Sequence, residues 1–456
     1  MLTLRLSEVA LWTHGTLHGA DVEARGVSID TRKLAPGELF VAIKGERHDG
    51  HDHLAQAMQH GAAGALVSRR LDIALPQVVV ADTVLALGDL ASSVRAQRRA
   101  RVVGITGSNG KTTVKTLTAS ILQHHGRTHS NAGNFNNEIG LPLSLLAMPQ
   151  DAQYAVIEMG AGKPGDIAYL AAIARPEVGL VNNIAPAHLE RMGSLEGVAE
   201  TKGALYQALP ADGTAVINAD DAFADFFAGL AGTRRALRFG FQNSANVHAA
   251  ATEMRADGST FTLITPNGSQ RVRLPLPGRH NIANAMAASA LAFALDVPLT
   301  TIAVGLENVN AVGGRLQRRK APGGWHVIDD SYNANPGSTA AAIATLALQS
   351  GERWLVLGDM AELGADAAAL HAQIGEQARE AGVDKLFAVG ALSQNAARAF
   401  GKNAQHFDDQ AGLIAALRTA LHPGVTVLVK GSRSSAMERV VAGLLDGNGG
   451  GARHAA

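Results

Sequence analysis

Between Arg101 and Gly126 the chain passes from a β-branched run, RVVGIT, through a glycine turn, GSNG, into an amphipathic segment, KTTVKTLTASILQHHG, with no spare residue between them. Val114, Leu117, Ile121 and Leu122 share one helical face of that segment, and Gly126 stands where a helix stop belongs. A strand feeding straight into a helix returns to its own sheet in parallel, by a right-handed crossover. The unit recurs: strand-like runs at 154–159, 177–184 and 214–220 follow. After Gly313 come others at 325–330, 353–359, 385–390 and 425–431, each leading into an Ala-rich helical stretch. Two mostly parallel, helix-covered sheets are predicted.

Residues 247–276 change texture. They alternate in period two around Asp257-Gly258 and Asn267-Gly268, which predicts antiparallel hairpins, and a helix over 281–295 follows. Residues 1–97 mix short elements: a glycine-bounded strand at 37–45, then a helix and a strand within HLAQAMQHGAAGALV. Arg95, Arg98, Arg99 and Arg101 read as a solvated helix end marking a boundary, and GNGGGARHAA as a frayed end. At roughly 150 residues per domain, 456 residues make about three domains. The expected fold class is α/β with three domains. A small mixed α/β N-terminal domain (1–97) precedes a central P-loop-type, mostly parallel sheet domain (98–312) and a C-terminal Rossmann-like domain (313–456).

Charge and cysteine narrow the function. Forty basic and forty acidic side chains leave no surplus of the kind that holds nucleic acid or an anionic membrane. With no cysteine there is no disulfide, thiolate metal site or thiol nucleophile, which fits the cytoplasm. Arg5 and Glu8 break the first apolar run, and Asp72, Asp82 and Asp89 break the stretch at 71–94, so no membrane insertion is expected. A monomer is the expectation.

Gly107-Ser108-Asn109-Gly110-Lys111-Thr112-Thr113 sits between a predicted strand and a predicted helix. Glycines let backbone approach a phosphate, and the first helical N–H groups point at the anion. Lys111 supplies a charge for terminal phosphates and Thr112 a hydroxyl for Mg²⁺. The spacing departs from the general phosphate loop, which requires a glycine where Ile105 stands. The bland alternative is an ordinary glycine-rich strand-to-helix turn. Bound ATP or GTP is the functional reading. Glu158 and His188 end or follow strands at the carboxyl edge, where parallel sheets place ligands, although single residues there are often structural.

This loop, preceded by G-I-T, resembles that of the Mur ligase superfamily, ATP-driven amide-forming enzymes. So do SNAGNFNNEIGLPLSLL (130–146), EMGAGKPGDI (158–167), NNIAPAHLERMGSLEGVAETKGAL (182–205), GRHNIANAMAA (278–288), GGRLQ (313–317), DDSYNANP (329–336), LGDMAELG (357–364) and KGSRSSAMERVV (430–441). The resemblance implies ATP and Mg²⁺, with Glu158 and His188 as metal ligands. It implies that Lys202 carries a carbamate, which turns a cation into a further ligand; the alternative is a solvated lysine with a pKa near 10.4. It places Asn281 on the nucleotide, with a helix cap as the alternative. It brings Arg315 to the phosphates and Asp330 to the ribose.

About 100 residues precede the loop, and Ser28-Ile29-Asp30-Thr31-Arg32 followed by LAPGELFVAIKGERHDGHDH resembles the uridine-nucleotide domain of the later-acting members. No G-x-G-x-x-G start and no DNPR motif occur. The resemblance is therefore to members that join D-Ala-D-Ala to UDP-MurNAc-tripeptide through an acyl phosphate. Ser28, Asp30, Thr31, Arg32, Asn134, Asn136, Asn137, Asn333 and Asn335 are then expected on the substrates, although Asn335-Pro336 also suits an Asx turn. A sister ligase, a phosphate-loop kinase or GTPase, and a nucleotide-gated scaffold are the alternatives.

Overall fold

The computed structural model describes residues 2–186, 189–242, 244–310 and 313–446. Its three main sheets lie in chain order. The first has five short strands, Thr16–His18, Gln77–Val79, Gly64–Val67, Leu39–Val41 and Val27–Ser28, parallel except for the outermost pair at Thr16–His18. The second, nine-stranded sheet is parallel from Thr128–Ser130 across to Val247–Arg255. It ends in the antiparallel strands Gly258–Thr265 and Gly268–Leu274, the hairpins predicted from Asp257-Gly258 and Asn267-Gly268. The third sheet runs Gln317–Lys320, His326–Asp330, Val425–Lys430, Glu352–Gly358, Lys385–Val389, Ala404–Phe407, parallel but for its first pair.

Strand order locates the cleft. Arg101–Thr106 lies between Tyr154–Glu158 and Val178–Val181. The chain leaves it first toward one edge and later toward the other, so a crevice opens beyond its carboxyl end. The loop at 107–110 sits in that crevice, and the helix Lys111–Gln123 follows as predicted.

Helices Lys111–Gln123, Arg279–Ala294 and Leu299–Glu307 cover one face of the central sheet and bury Val114, Leu117, Met286, Leu291 and Ile302 completely. The other face shares a single apolar cluster with the first sheet, running from Val41, Leu66 and Val78 through Leu87 and Leu90 to Val102 and Ile157. The third sheet keeps separate clusters on its two faces, around Leu355 and Leu386 on one side and Trp354 and Val427 on the other. No helix among the described residues is long and apolar enough to cross a membrane.

One sequence expectation is corrected. Arg95 is not a solvated helix end: it is 7% exposed, and its guanidinium donates to the carbonyls of Ala174 (2.9 Å) and Arg98 (3.0 Å). Ala174 closes the helix Asp166–Ala174, whose last carbonyls have no partner of their own, so the cation satisfies an orphan acceptor. The tail at 447–456, expected to fray, lies outside the described residues.

Two helices on the central face approach so closely that only glycine fits between them. Ser120 Oγ donates to the Gly305 carbonyl at 2.7 Å, and a Cβ at 305 would overlap the Ile121 backbone. Gly305→Ala should therefore destabilise the central unit by about 1–3 kcal/mol, the usual cost of overpacking, seen as a lower thermal midpoint.

Candidate active site

The phosphate loop owes its shape to two glycines in the left-handed region, Gly107 (φ +143°) and Gly110 (φ +80°). A Cβ at 110 would come within 2.5 Å of Asn284 Oδ1 and 2.6 Å of Asn182 Nδ2. The loop is laced to the neighbouring strand end. Ser108 N–H donates to the Asn183 carbonyl, Asn109 N–H to Asn183 Oδ1 (2.8 Å), and Asn182 Nδ2 to the Asn109 carbonyl (3.0 Å). Ser108 Oγ reaches the carbonyl of Ala185. Beyond the loop, the N–H groups of Lys111, Thr112 and Thr113 open the helix, where an α-helix has no internal acceptor to offer. Lys111 Nζ folds back on the Gly107 carbonyl at 2.7 Å.

Glu158 stands at the end of the adjacent strand and is 2% exposed. Its Oε2 accepts from Thr112 Oγ1 (2.9 Å) and lies 3.2 Å from Lys115 Nζ; its Oε1 accepts from Asn136 Nδ2 (2.8 Å). Burial pushes this carboxyl up, but Lys115, Lys111 and the two hydrogen bonds outweigh it, so Glu158 titrates below the ordinary glutamate range. Lys111 is held below its usual value by burial and by Arg315, with Glu158 opposing.

Two cavities meet here. The first, of about 430 Å³, is lined by Lys111, Thr112, Thr113, Glu158, Asn281, Asp330 at the end of a third-sheet strand, and Arg315, Asn333 and Asn335 from the segments flanking that sheet's first strands. The second, of about 400 Å³, is lined by Asn137, Lys163, Asp166, Tyr169 and Arg191. Lys111 and Asn136 border both.

The third sheet reaches the loop through two side chains. Arg315 Nη2 donates to Thr112 Oγ1 (2.9 Å) while its guanidinium lies 4.4 Å from the centre of the Tyr332 ring. Asn335 Nδ2 donates to Asn109 Oδ1 (2.7 Å), and Asn335 also caps the helix Pro336–Leu346 through Ser338 N–H. Asp330 is paired with Lys430, and burial, opposed by that lysine, raises its carboxyl. Asn281 is the third residue of its helix and donates to the Pro277 carbonyl, so it ties down the helix start without being the cap residue, which is Gly278.

Other expected residues are placed elsewhere. Ser28, Asp30, Thr31 and Arg32 line neither cavity. Asp30 pairs with Arg32 (2.8 Å), which holds Asp30 down to about 2, Thr31 donates to Gln56, and Ser28 bonds within its own turn. Their strand Val27–Ser28 packs near the helix Gly140–Leu146 that follows the asparagine loop. Asn134 is exposed, Asn137 Oδ1 accepts from Gly140 N–H, and Asn136 engages Glu158. Asn333 Oδ1 accepts from Ala334 N–H. His188 lies outside the described residues. Lys202 is 2% exposed and is brought down to about 7 by burial and by Lys111, with Asp166 opposing, so a substantial share of its amine is uncharged at neutral pH.

Lys115, Lys430, Asn182, Asn183 and His280 are site residues that the sequence alone did not single out. Lys115 follows Lys111 by one helical turn and so shares its face, a signal available in principle. His280 lines the first cavity, and burial with the nearby Lys430 lowers it to about 4, leaving a neutral ring.

No cluster of three or more His, Asp or Glu that could hold a metal occurs among the described residues. Thr112 and Glu158 do present adjoining hard oxygen donors. They suit Mg²⁺, which keeps waters and takes one or two carboxylates beside phosphate oxygens.

A strand-to-helix phosphate loop at the switch point of a parallel sheet, overhung by an arginine from a second α/β sheet, defines a nucleotide-using enzyme of several domains. Three family models cover the chain: Mur ligase family, catalytic domain (23–105), Mur ligase middle domain (105–292), and Mur ligase, glutamate ligase domain (314–433). The UDP-N-acetylmuramoyl-tripeptide--D-alanyl-D-alanine ligase of Escherichia coli is 49% identical, covering 97% of this chain and 99% of the relative; that of Bacillus subtilis is 34% identical, covering 98% and 99%. A crystal structure of MurF from Acinetobacter baumannii superposes with a TM-score of 0.92 at 36% identity, covering 98% and 99%. MurF ligase from Thermotoga maritima in complex with ADP gives 0.81 at 29%, covering 92% and 97%. The chain belongs to the Mur ligase family.

Gly110→Ala combines a left-handed φ with a clash against two asparagines. It should abolish nucleotide binding, measured by titration calorimetry with ADP, while the far-ultraviolet circular dichroism is retained.

Proposed function

We propose that this chain is an ATP-dependent amide ligase of peptidoglycan precursor synthesis, joining D-Ala-D-Ala to the terminal carboxylate of UDP-MurNAc-tripeptide and releasing ADP and phosphate. The observation that carries the reading is the meeting of the two cavities at Lys111. A triphosphate in the first cavity puts its last phosphoryl group at the mouth of the second, where Lys163 and Arg191 suit an anionic acceptor.

The backbone N–H groups at Lys111–Thr113, together with Lys111 and Arg315, hold the phosphates and offset charge as the terminal phosphoryl group moves to the carboxylate oxygen. The amine of D-Ala-D-Ala then attacks the acyl phosphate, loses a proton, and phosphate leaves as the amide forms. When Mg²⁺ is bound, Thr112 and Glu158, with His188 and a carbamate on Lys202, would hold it, and it would supply charge neutralisation on the phosphate oxygens. Asn281 and Asp330 serve the adenine and ribose. Asn134, Asn136 and Asn137 border the carboxylate's approach, and Ser28, Asp30, Thr31 and Arg32 serve the uridine end in the unit at 1–97. The unit at 98–312 binds ATP, and the unit at 313–456, with Asn333 and Asn335, brings the dipeptide and closes over the nucleotide. The enzyme works as a cytoplasmic monomer.

A coupled assay for ADP release should require ATP, UDP-MurNAc-tripeptide and D-Ala-D-Ala together, with the pentapeptide product identified by mass. Turnover with single amino acids in place of the dipeptide would indicate a sister ligase, and turnover without an amine a kinase. Lys111→Ala should abolish turnover without unfolding the protein.

The lowered Lys202 adds a pH dependence. Carbamate formation consumes the neutral amine and CO₂ and releases a proton, so it is favoured above about pH 7 and opposed below it. Activity in CO₂-depleted buffer should thus fall progressively below pH 7 and recover on adding bicarbonate. Indifference to bicarbonate across that range would exclude the carbamate.

A further inference from the structure

Lys430 has no part in the reaction described above, yet it is 2% exposed and lines the nucleotide cavity. It ends the strand Val425–Lys430 directly in register with Asp330, the last residue of the neighbouring parallel strand. Its Nζ donates to Asp330 Oδ2 (2.5 Å) and to the Asn333 carbonyl (2.9 Å).

Each acceptor leads to one of the two arms that reach the phosphate loop. Asp330 Oδ1 accepts from the backbone N–H of Leu316 (3.2 Å), so the carboxylate pins the residue after Arg315. Leu316 holds a left-handed φ of +51°, a conformation that a branched side chain adopts only under constraint. That backbone turn aims Arg315 across the Tyr332 ring to Thr112. Asn333 opens the turn that ends at Asn335, whose amide reaches Asn109. An ammonium offers three donors from one point, and here two of them go to acceptors on separate branches of one turn.

We infer that Lys430 is a positioning residue that presents Arg315 and Asn335 together to the phosphate loop, by clamping Asp330 and the Asn333 carbonyl. The inference rests on the nucleotide reading of the first cavity. A lysine that merely stabilised the third sheet would influence folding, with no selective effect on the nucleotide.

The test uses the full-length enzyme in the coupled assay. Lys430→Met should raise the KM for ATP about tenfold and lower kcat at least about tenfold, leaving the KM for the UDP-linked substrate within about twofold. In a cycle with Arg315→Ala, the double variant should fall short of the product of the two single losses by about tenfold, because part of each loss is the same loss. Losses that multiply, or a folded Lys430→Met with normal constants, would overturn the inference. Should Lys430→Met fail to fold, Lys430→Gln, which keeps an amide donor, goes through the same cycle: shared losses support the clamp, and multiplying losses or normal constants overturn it. Lys111→Ala separates the layers: turnover surviving there sinks the nucleotide reading itself, whereas a dead Lys111→Ala beside an indifferent Lys430 variant sinks this inference alone.

Discussion

The backbone of residues 107–110 runs so close to the strand end at Asn182 and Asn183 that a side chain at Gly110 has nowhere to go, and the rest of the cleft follows from that proximity. With the loop's own Ser108 and Asn109 N–H groups satisfied by Asn183, the N–H groups opening the helix at Lys111 are among those open to an anion. Lys111, the first residue of that helix, borders both cavities, so the helix's partial positive end lies where they join. The parallel sheet makes this geometry possible. Only because the chain lays its later strands first on one side of Arg101–Thr106 and then on the other do Glu158 and Asn182 flank the loop from two sides.

Glu158 shows how such a site tolerates a buried carboxylate. Removing one partner of a buried ion pair costs about 3–5 kcal/mol, so an acid at 2% exposure persists only if its lone pairs are occupied. Thr112, Lys115 and Asn136 occupy them. Lys115 also donates to the carbonyls of Asn131 and Gly133, so the same ammonium that steadies the carboxylate fixes the loop carrying Asn136 into the second cavity. The wall between the two cavities is therefore a hydrogen-bonded unit, and distortion on one side is felt on the other.

Much of this was legible in the chain. Strand–helix alternation, the Asp-Gly and Asn-Gly hairpins and the glycine loop are local signals, and each element they predicted is present. Arg315 was expected at the phosphate site from resemblance and does meet Thr112. What could not be read are facts of register and burial. Arg95 looks solvated in a run of arginines because the carbonyl it satisfies lies 79 positions away. Lys430 and Asp330 are separated by 100 residues and become partners only because two parallel strands lie side by side with their last residues in register. Asn136, expected on substrate, borders both cavities and also gives its amide to Glu158, and a polar loop residue gives no sign in sequence of which neighbour takes its hydrogen bond.

The charges around the cleft do not balance, although those of the whole chain do. Lys111, Lys115, Lys430 and Arg315 face two carboxylates, Glu158 and Asp330, and Lys115, Lys430 and Glu158 are buried. An unmatched cation in such surroundings sheds its proton more readily, which is the direction taken by Lys111. The surplus is relieved by an anion. A triphosphate entering the first cavity and a carboxylate at the mouth of the second would each oppose that lowering and favour the charged lysine. Arranged in advance, those charges need no reorganisation as the phosphoryl group moves, and that is where a site of this kind gains its rate.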